Sequence, residues 1–237
     1  MSSMIRVFIG YSNAAPVASS VAEHSIIRYA SKPVAVTRLA LNTLGGIYTR
    51  ARDPMQSTDF SFSRFLTPYL AGFEGWAMFM DDDMILQDDI AKLWELRDDR
   101  YAVQVVKHNH VPTEGVKFLN KVQTKYEKKN WSSVMLFNCA KCTALTPDYV
   151  NTATGMQLHQ FKWLDGDHLI GEIPHRWNHL VDYDPAEKDV GLLHYTIGGP
   201  FYDDFRECGY ADAWFKEREA MLHCDQISAK KPAKTAS

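Results

Sequence analysis

The residues best suited to chemistry are three consecutive aspartates, Asp81, Asp82 and Asp83, which directly follow the apolar run 76–80. Such a run predicts a strand that is buried on both faces, as in a parallel sheet flanked by helices. Because side chains alternate along an extended backbone, Asp81 and Asp83 point to one side and Asp82 to the other. Two carboxylates at the carboxyl end of a buried strand suit a hard divalent cation. A solvated acidic turn that caps the next helix is the alternative, and this stretch alone leaves both open.

Two other groups of polar side chains have residue types that bind metals. Cys139 and Cys142 form a C-x-x-C, but no second pair completes a zinc site, so reduced buried thiols are favoured. His108 and His110 lie in the stretch 107–110, which follows a predicted strand. Histidines in such a loop are more often solvated than bound to metal, and we predict solvated side chains there.

Composition limits the class of protein. The chain has 237 residues, 46% hydrophobic and 23% charged, which suits one sizeable globular domain. A net charge of −3 argues against binding nucleic acid mainly through phosphate contacts. No apolar stretch approaches the roughly 20 residues that span a bilayer, and no secretion signal is evident, so we predict a cytoplasmic protein. Residues 1–225 are predicted to form the domain and 226–237 a disordered basic tail.

The first elements have the order strand, loop, helix, strand. The pattern predicts a strand at 5–10, a helix from Pro16 to about residue 31 and a strand at 34–41. This order is typical of a doubly wound sheet, in which the loop after the first strand is the usual nucleotide position. The chain carries neither the G-x-G-x-x-G of a dinucleotide site nor a Walker A motif.

The later elements lead into and out of the aspartates. A helix is predicted at 59–70, directly before the aspartate strand, and another apolar strand at 131–138. The stretch 191–200 predicts a short buried strand that ends in a glycine turn, and 210–222 a terminal helix. A mostly basic stretch at 125–129 is predicted to be an exposed patch.

Taken in order, several of these stretches resemble the GT-A glycosyltransferases, and most closely the family that includes glycogenin and the bacterial lipopolysaccharide galactosyltransferases (glycosyltransferase family 8). The matching stretches are Arg64, 81–83, 131–138, 165–167 and 194–200. The resemblance implies an α/β fold of GT-A type, a mixed and mainly parallel sheet flanked by helices. It also implies a single domain with a small C-terminal subdomain on the acceptor side.

The resemblance further implies a metal-dependent enzyme. Such an enzyme would move a hexose from a nucleotide diphosphate sugar, UDP-glucose or UDP-galactose, to an acceptor hydroxyl with retention of configuration. Asp81, Asp83 and His194 would bind Mn²⁺ or Mg²⁺, and the imidazole favours Mn²⁺. A cation is needed because the donor leaves as a diphosphate, whose developing charge must be offset.

The resemblance also assigns residues to the donor. The donor-binding set would be Gly10, Tyr11, Ser12, Arg64, Asp82, Gly198 and Gly199. The first three would lie against the base, Asp82 would face the ribose or sugar, and the two glycines would let the backbone approach phosphate. The family usually has a lysine in this last turn, where the present chain has Gly-Gly-Pro-Phe. The metal, the backbone or an arginine such as Arg206 would then neutralise the diphosphate.

On the acceptor side the resemblance is weaker, because Asp165-Gly166-Asp167 lacks the glutamine of the family. Asp165 and Asp167 are the predicted catalytic residues, with a solvated acidic turn as the alternative. Trp163, His168 and Trp177 are predicted to bind the acceptor, with plain packing as the alternative.

Two rival functions stay open at this point. Nucleotidyl transfer also uses paired aspartates and metals, but it usually has a glycine-rich, lysine-bearing loop after the first strand. A non-catalytic member of the fold that binds nucleotide sugar is the other rival, suggested by the missing lysine and glutamine. The acceptor could be a glycan, a protein, a lipid or a small molecule.

Overall fold

The structure is a computed structural model that describes residues 4–53, 56–108, 116–117, 121–122 and 127–223. Its strands are β1 Ile5–Gly10, β2 Val34–Leu39, β3 Trp76–Met80, β4 Met84–Leu86, β5 Val103–Val105, β6 Val116–Lys117, β7 Lys121–Val122, β8 Val134–Asn138, β9 Ile170–Glu172, β10 His179–Leu180 and β11 Leu192–His194. Its α-helices are α1 Pro16–Arg28, α2 Thr67–Leu70, α3 Ile90–Trp94, α4 Pro147–Thr152, α5 Gly155–His159 and α6 Ala211–Leu222. The predicted tail 226–237 and His110 lie outside the described residues.

A six-stranded sheet with the order β2-β1-β3-β8-β5-β9 forms the centre of the fold. Strand β3 lies between β1, to which it is parallel, and β8, to which it is antiparallel. Ala77 and Phe79 face one hydrophobic core, whereas Met78 and Met80 face the other. The aspartates therefore follow a strand that is buried on both faces. The parallel and antiparallel strand pairs together confirm the predicted mixed, mainly parallel sheet.

The segment before β3 differs from the prediction. In place of one helix over 59–70, the chain forms a 3₁₀ helix at Ser63–Leu66 and then the short α2. Pro68 lies in the first turn of α2, where its missing N–H costs nothing, but it could not continue a helix that began earlier. The predicted inward residues Phe60 and Phe65 are buried all the same.

A second, three-stranded sheet starts directly after the aspartates, with the order β10-β11-β4. Strand β4 pairs with β11 in antiparallel register, and His194 lies opposite Met84. The N–H of Tyr195 donates to the carbonyl of Asp83 at 2.9 Å and extends this pairing by one step. The register of the second sheet thus brings the end of β11 next to the aspartates.

The sequence predicted buried thiols at the cysteines and an exposed patch at the basic stretch 125–129. Cys139 and Cys142 are buried and unbonded to each other, and burial raises the pKa of the Cys139 thiol to about 11. Both thiols are buried and free, as predicted. The prediction of an exposed basic patch was wrong for Lys129, which is buried, whereas Lys125 lies outside the described residues.

None of the helices in the described ranges combines the length and the apolar character that a membrane span requires.

Helices α1 and α6 are joined through a buried carboxylate. Glu217 on α6 is almost fully buried and forms an ion pair with Arg28 on α1. His24 approaches the same carboxylate, with 2.6 Å between Nδ1 and Oε1. A buried carboxylate needs such partners, because taking its charge out of water costs several kcal/mol.

We expect Arg28→Ala to lower the free energy of unfolding by about 2 kcal/mol, since it leaves the buried Glu217 carboxylate with only His24. Urea denaturation measures the change. Arg218→Ala, on the exposed side of the same helix as Glu217, is the matched control and should change stability by less than about 0.5 kcal/mol. Equal effects of the two substitutions would contradict the role given to the pair.

Candidate functional site

Two aspartates and a histidine meet where the two sheets join. One ligand atom each from Asp81, Asp83 and His194 lies within 4.8 Å of the others. Nε2 of His194 is 3.4 Å from Oδ1 of Asp83 and 3.9 Å from Oδ2 of Asp81. Two carboxylates and one imidazole, all largely shielded from solvent, form a suitable donor set for a divalent cation such as Mn²⁺.

The two sheets hold these ligands from different directions. The N–H of Asp81 donates to the carbonyl of Ser133 at 3.0 Å, which continues the β3–β8 ladder past the end of β3. The carbonyl of Asp83 is held by Tyr195 in the second sheet. The backbone on both sides of Asp82 is therefore fixed by hydrogen bonds, and the carboxylates are set before any ligand arrives.

His194 is oriented by a buried amide that the sequence analysis did not identify. Its Nδ1 lies 2.9 Å from Oδ1 of Asn178, and Nδ2 of Asn178 donates to Oγ of Ser133 at 2.9 Å. With Nδ1 engaged, Nε2 is the nitrogen that faces the carboxylates. Asn178 directly follows Trp177 in the sequence and gave no motif by which it could have been found.

Arg64 is buried behind Asp81. The side chain is only 7% exposed, and its Nη1 lies 2.7 Å from Oδ1 of Asp81 and donates to the carbonyl of Ser132 at 2.9 Å. The guanidinium also lies near the rings of Phe60 and Phe79. Arg64 thus contacts Asp81, one of the three candidate metal ligands. The predicted contact with the donor stays a prediction.

Asp82 lies in the short bend between β3 and β4 and contacts the loop after β1. Its carboxylate accepts a hydrogen bond from the backbone of Ser12, in the loop after β1. Burial raises the pKa of Asp82 well above its usual value, and the charges of Asp83 and Asp81 add to this effect. The triplet therefore divides into two carboxylates beside His194 and one beside the first loop.

A pocket opens over this side of the triplet, at the carboxyl ends of β1 and β3. Its lining includes Ser12, Arg52, Asp82, Asp83, Gly198 and Tyr202. Three of the predicted donor residues, namely Ser12, Asp82 and Gly198, are thus brought together. The described residues that line the pocket do not include Gly10, Tyr11, Arg64 or Gly199.

The predicted donor glycines have packing reasons to lack a side chain. A Cβ on Gly10 would come within 2.6 Å of the Phe60 ring, and one on Gly198 within 2.6 Å of the Phe205 ring. A Cβ on Gly199 would collide with the ring of Phe201. Aromatic rings therefore pack tightly against the backbone of these three glycines, of which Gly198 lines the pocket.

Arg52 brings a positive charge to the pocket. It lines the pocket and forms an ion pair with Asp59, which lines the pocket too. Arg206, the candidate proposed from the sequence, instead lies over the Phe215 ring and does not belong to the described lining. Arg52 lies in a turn-rich stretch with no recognisable motif, so no sequence pattern pointed to it.

The predicted acceptor residues are distributed differently. Trp163 and Trp177 are buried in separate hydrophobic cores, so the structure favours packing for both rings. Asp167 is mostly exposed and lies 2.5 Å from Nζ of Lys128, which lowers the pKa of the carboxyl. Asp165 and His168 are exposed. The catalytic and acceptor roles of these residues stay predictions.

Comparison with known proteins gives a family and a fold. The model of Glycosyl transferase family 8 matches residues 15–145, which is more than half of the chain. "Protein CDI" of Arabidopsis thaliana is 44% identical over 224 residues, which cover 90% of this chain and 86% of that protein.

Solved glycosyltransferases share the fold. The galactosyltransferase LgtC, solved with donor and acceptor sugar analogues, is 10% identical with a TM-score of 0.60, over 94% of this chain and 98% of LgtC. GlyE of Streptococcus pneumoniae TIGR4 is 15% identical with a TM-score of 0.60, over 93% of this chain. The bifunctional WbbM is 16% identical with a TM-score of 0.57, over 92% of this chain. The chain spans 62% of the GlyE chain and 50% of the WbbM chain. The likeness shows the predicted GT-A fold.

We expect Asn178→Ala to weaken Mn²⁺ binding by about 10- to 100-fold, because His194 loses the partner that orients its ring. Isothermal titration of the full chain with Mn²⁺ measures this change. Asn178→Asp keeps an oxygen acceptor for Nδ1 and should retain most of the affinity. If Asn178→Ala binds Mn²⁺ as tightly as the parent, the orienting role is wrong.

Proposed function

The chain belongs to glycosyl transferase family 8 and is a glycosyltransferase, and we propose that it moves a hexose from a UDP-linked donor to an acceptor hydroxyl. The donor would be UDP-glucose or UDP-galactose, and the reaction would proceed with retention of configuration. The observation that carries this proposal is the group of Asp81, Asp83 and His194 beside a pocket at the carboxyl ends of the strands. In open α/β sheets this is where ligands bind.

A divalent cation fits this group, and Mn²⁺ fits better than Mg²⁺ because one ligand is an imidazole. Asp81, Asp83 and His194 would hold it, with Arg64 and Asn178 keeping two of these side chains in place. When bound, the cation supplies positive charge against the leaving diphosphate. The protein itself contributes ligands that are held in position before the donor binds.

The remaining pocket residues have distinct tasks in this proposal. Ser12 and Asp82, which are hydrogen-bonded to each other, would meet the nucleoside end of the donor. The guanidinium of Arg52 would bind phosphate oxygens, taking the place of the lysine that the family usually has. Burial raises the pKa of Tyr202 to about 12, so its hydroxyl stays protonated and can donate a hydrogen bond to the donor.

The acceptor would approach from the side of the exposed His168. Asp165 and Asp167 are the proposed catalytic carboxylates, and both have solvent access. Ion pairing with Lys128 keeps Asp167 ionised, which suits a residue that accepts a hydrogen bond from an incoming hydroxyl. The buried Trp163 and Trp177 would support this region from behind, through packing.

We expect the full chain to release UDP from UDP-glucose or UDP-galactose in the presence of Mn²⁺, and EDTA to abolish the release. Asp83→Ala should lower the rate at least about 100-fold while leaving the fold intact, because it removes a metal ligand. Coupled UDP detection over a panel of UDP-sugars measures this.

Asp148→Ala removes an exposed carboxylate on α4 and is the matched control. UDP release by Asp83→Ala at the parental rate would overturn the metal-dependent mechanism. Binding of UDP and Mn²⁺ without turnover of any UDP-sugar would instead identify a non-catalytic member of the fold.

We expect Arg52→Ala to weaken UDP binding roughly 10- to 100-fold, since a charge-assisted hydrogen bond to phosphate is worth about 1.5–3 kcal/mol. Uridine should bind equally to both proteins, because it has no phosphate for Arg52 to contact. Titration calorimetry with UDP and uridine, each with Mn²⁺, separates the two contributions. Arg206→Ala is the control, because Arg206 is the more exposed of the two arginines. An equal loss of UDP affinity in both variants would contradict the role of Arg52 as the phosphate-binding residue.

A further inference from the structure

A second group of metal-binding side chains lies outside the donor pocket. One ligand atom each from His108, His175 and Asp184 lies within 4.8 Å of the others. None of the three belongs to the group of Asp81, Asp83 and His194. We propose that this His-His-Asp group is a binding site for a divalent transition-metal ion, with Zn²⁺ as the ion that its chemistry favours.

The three ligands come from separate parts of the fold. His108 follows β5 of the main sheet, whereas Asp184 follows β10 of the second sheet. His175 begins the 3₁₀ helix His175–Asn178, which connects β9 of the main sheet to β10 of the second sheet. An ion bound here would therefore cross-link the two sheets.

The spacing of the side chains suits a zinc ion. Ligand distances of 2.0–2.2 Å in a tetrahedral site place neighbouring ligand atoms about 3.4 Å apart. Nε2 of His175 already lies 3.2 Å from Oδ2 of Asp184. The rings of His108 and His175 are 5.2 Å apart between centroids and nearly perpendicular, with an interplanar angle of 77°. Closing the group around an ion needs only small side-chain movements.

The surroundings suit an ion with three protein ligands and one water. His108 is 7% exposed, contrary to the prediction of a solvated side chain, and it forms the inner wall. The side chain of His175 is 45% exposed and leaves one side open to solvent, by which an ion and a water can enter. Asp184 is held in place because its Oδ2 accepts a hydrogen bond from the N–H of Leu180 at 2.6 Å.

A further histidine supports the same location. His179 is fully buried, and among the described residues neither of its ring nitrogens has a hydrogen-bond partner. Its Nδ1 lies 4.0 Å from Oδ2 of Asp184, and its ring centroid 6.4 Å from that of His175. Buried polar atoms without partners are costly, and a metal-bound water next to Asp184 would provide one.

One 3₁₀ helix connects the His-His-Asp group to the group of Asp81, Asp83 and His194. The 3₁₀ helix that starts with His175 ends with Asn178, the residue that orients His194. Holding the first residue of this helix with a metal would limit the freedom of the last one. The second ion would thus have a structural role and would steady a support of the first.

The test measures bound metal, independently of glycosyl transfer. Full-length Asp83→Asn protein, in which the donor-side site is disabled, is loaded with Zn²⁺, dialysed and analysed for metal content. We expect about one retained Zn²⁺ per chain. Adding His175→Ala should weaken this binding by at least about 100-fold, the upper end of the effect seen for outer-shell partners.

Two further variants complete the design. His168→Ala removes an exposed histidine outside the group and should retain the ion. His175→Cys replaces one metal ligand by another, so this variant should also retain Zn²⁺. When Co²⁺ is loaded instead of Zn²⁺, the variant should show a sulfur-to-cobalt charge-transfer band together with the absorption of tetrahedral Co²⁺. Circular dichroism confirms that each variant is folded.

No retained Zn²⁺ in the Asp83→Asn protein would overturn the proposal. Equal retention by the His175→Ala variant would overturn it too, because the ion would then lie elsewhere. The failure of UDP-sugar turnover would leave this result untouched, since none of these measurements depends on the proposed transferase reaction.

Discussion

The site depends on placing three adjacent carboxylates at the buried end of a central strand. Ionised neighbours repel one another, and burial adds a cost for each charge. The structure offsets this cost differently for each residue. Arg64 lies against Asp81, His194 faces both Asp81 and Asp83, and Asp82 accepts a hydrogen bond from the backbone of Ser12. Concentrated negative charge that is only partly offset is what a cation-binding site requires.

Two sheets are needed to build this arrangement. The main sheet carries the aspartates to its carboxyl edge, and the short β4 then leaves it to pair with β11. That pairing places His194 beside Asp83, and Asn178 fixes the ring from behind. Asp81 and Asp83 thus lie in a short bend whose backbone is hydrogen-bonded to Ser133 and Tyr195, and His194 is the last residue of β11. Such support keeps ligand geometry constant, which benefits both metal affinity and catalysis.

The comparisons separate what the fold determines from what the loops determine. LgtC, GlyE and WbbM share the architecture at 10–16% identity, so the sheet and its edge tolerate almost complete replacement of the sequence. Substrate choice is set by a few contacts around the pocket, which a shared fold does not specify. Here the first and last loops contribute Ser12 and Gly198, whereas Arg52 comes from a stretch in between. Among the described lining residues, positive charge thus comes from Arg52, which precedes β3, and not from the glycine turn after β11.

The sequence by itself determined the strand before the aspartates and the family, because an apolar run and motif order are local or linear properties. Tertiary structure alone decided which distant side chains meet. Arg64 became a partner of Asp81, and Trp163 became a core residue, through packing that no spacing rule encodes. His108 was expected in solvent but is buried beside His175, because the two lie on segments that adjoin only in the folded chain. Contacts between residues so far apart in sequence depend on sheet register and on the packing of both cores, and a single sequence does not reveal either.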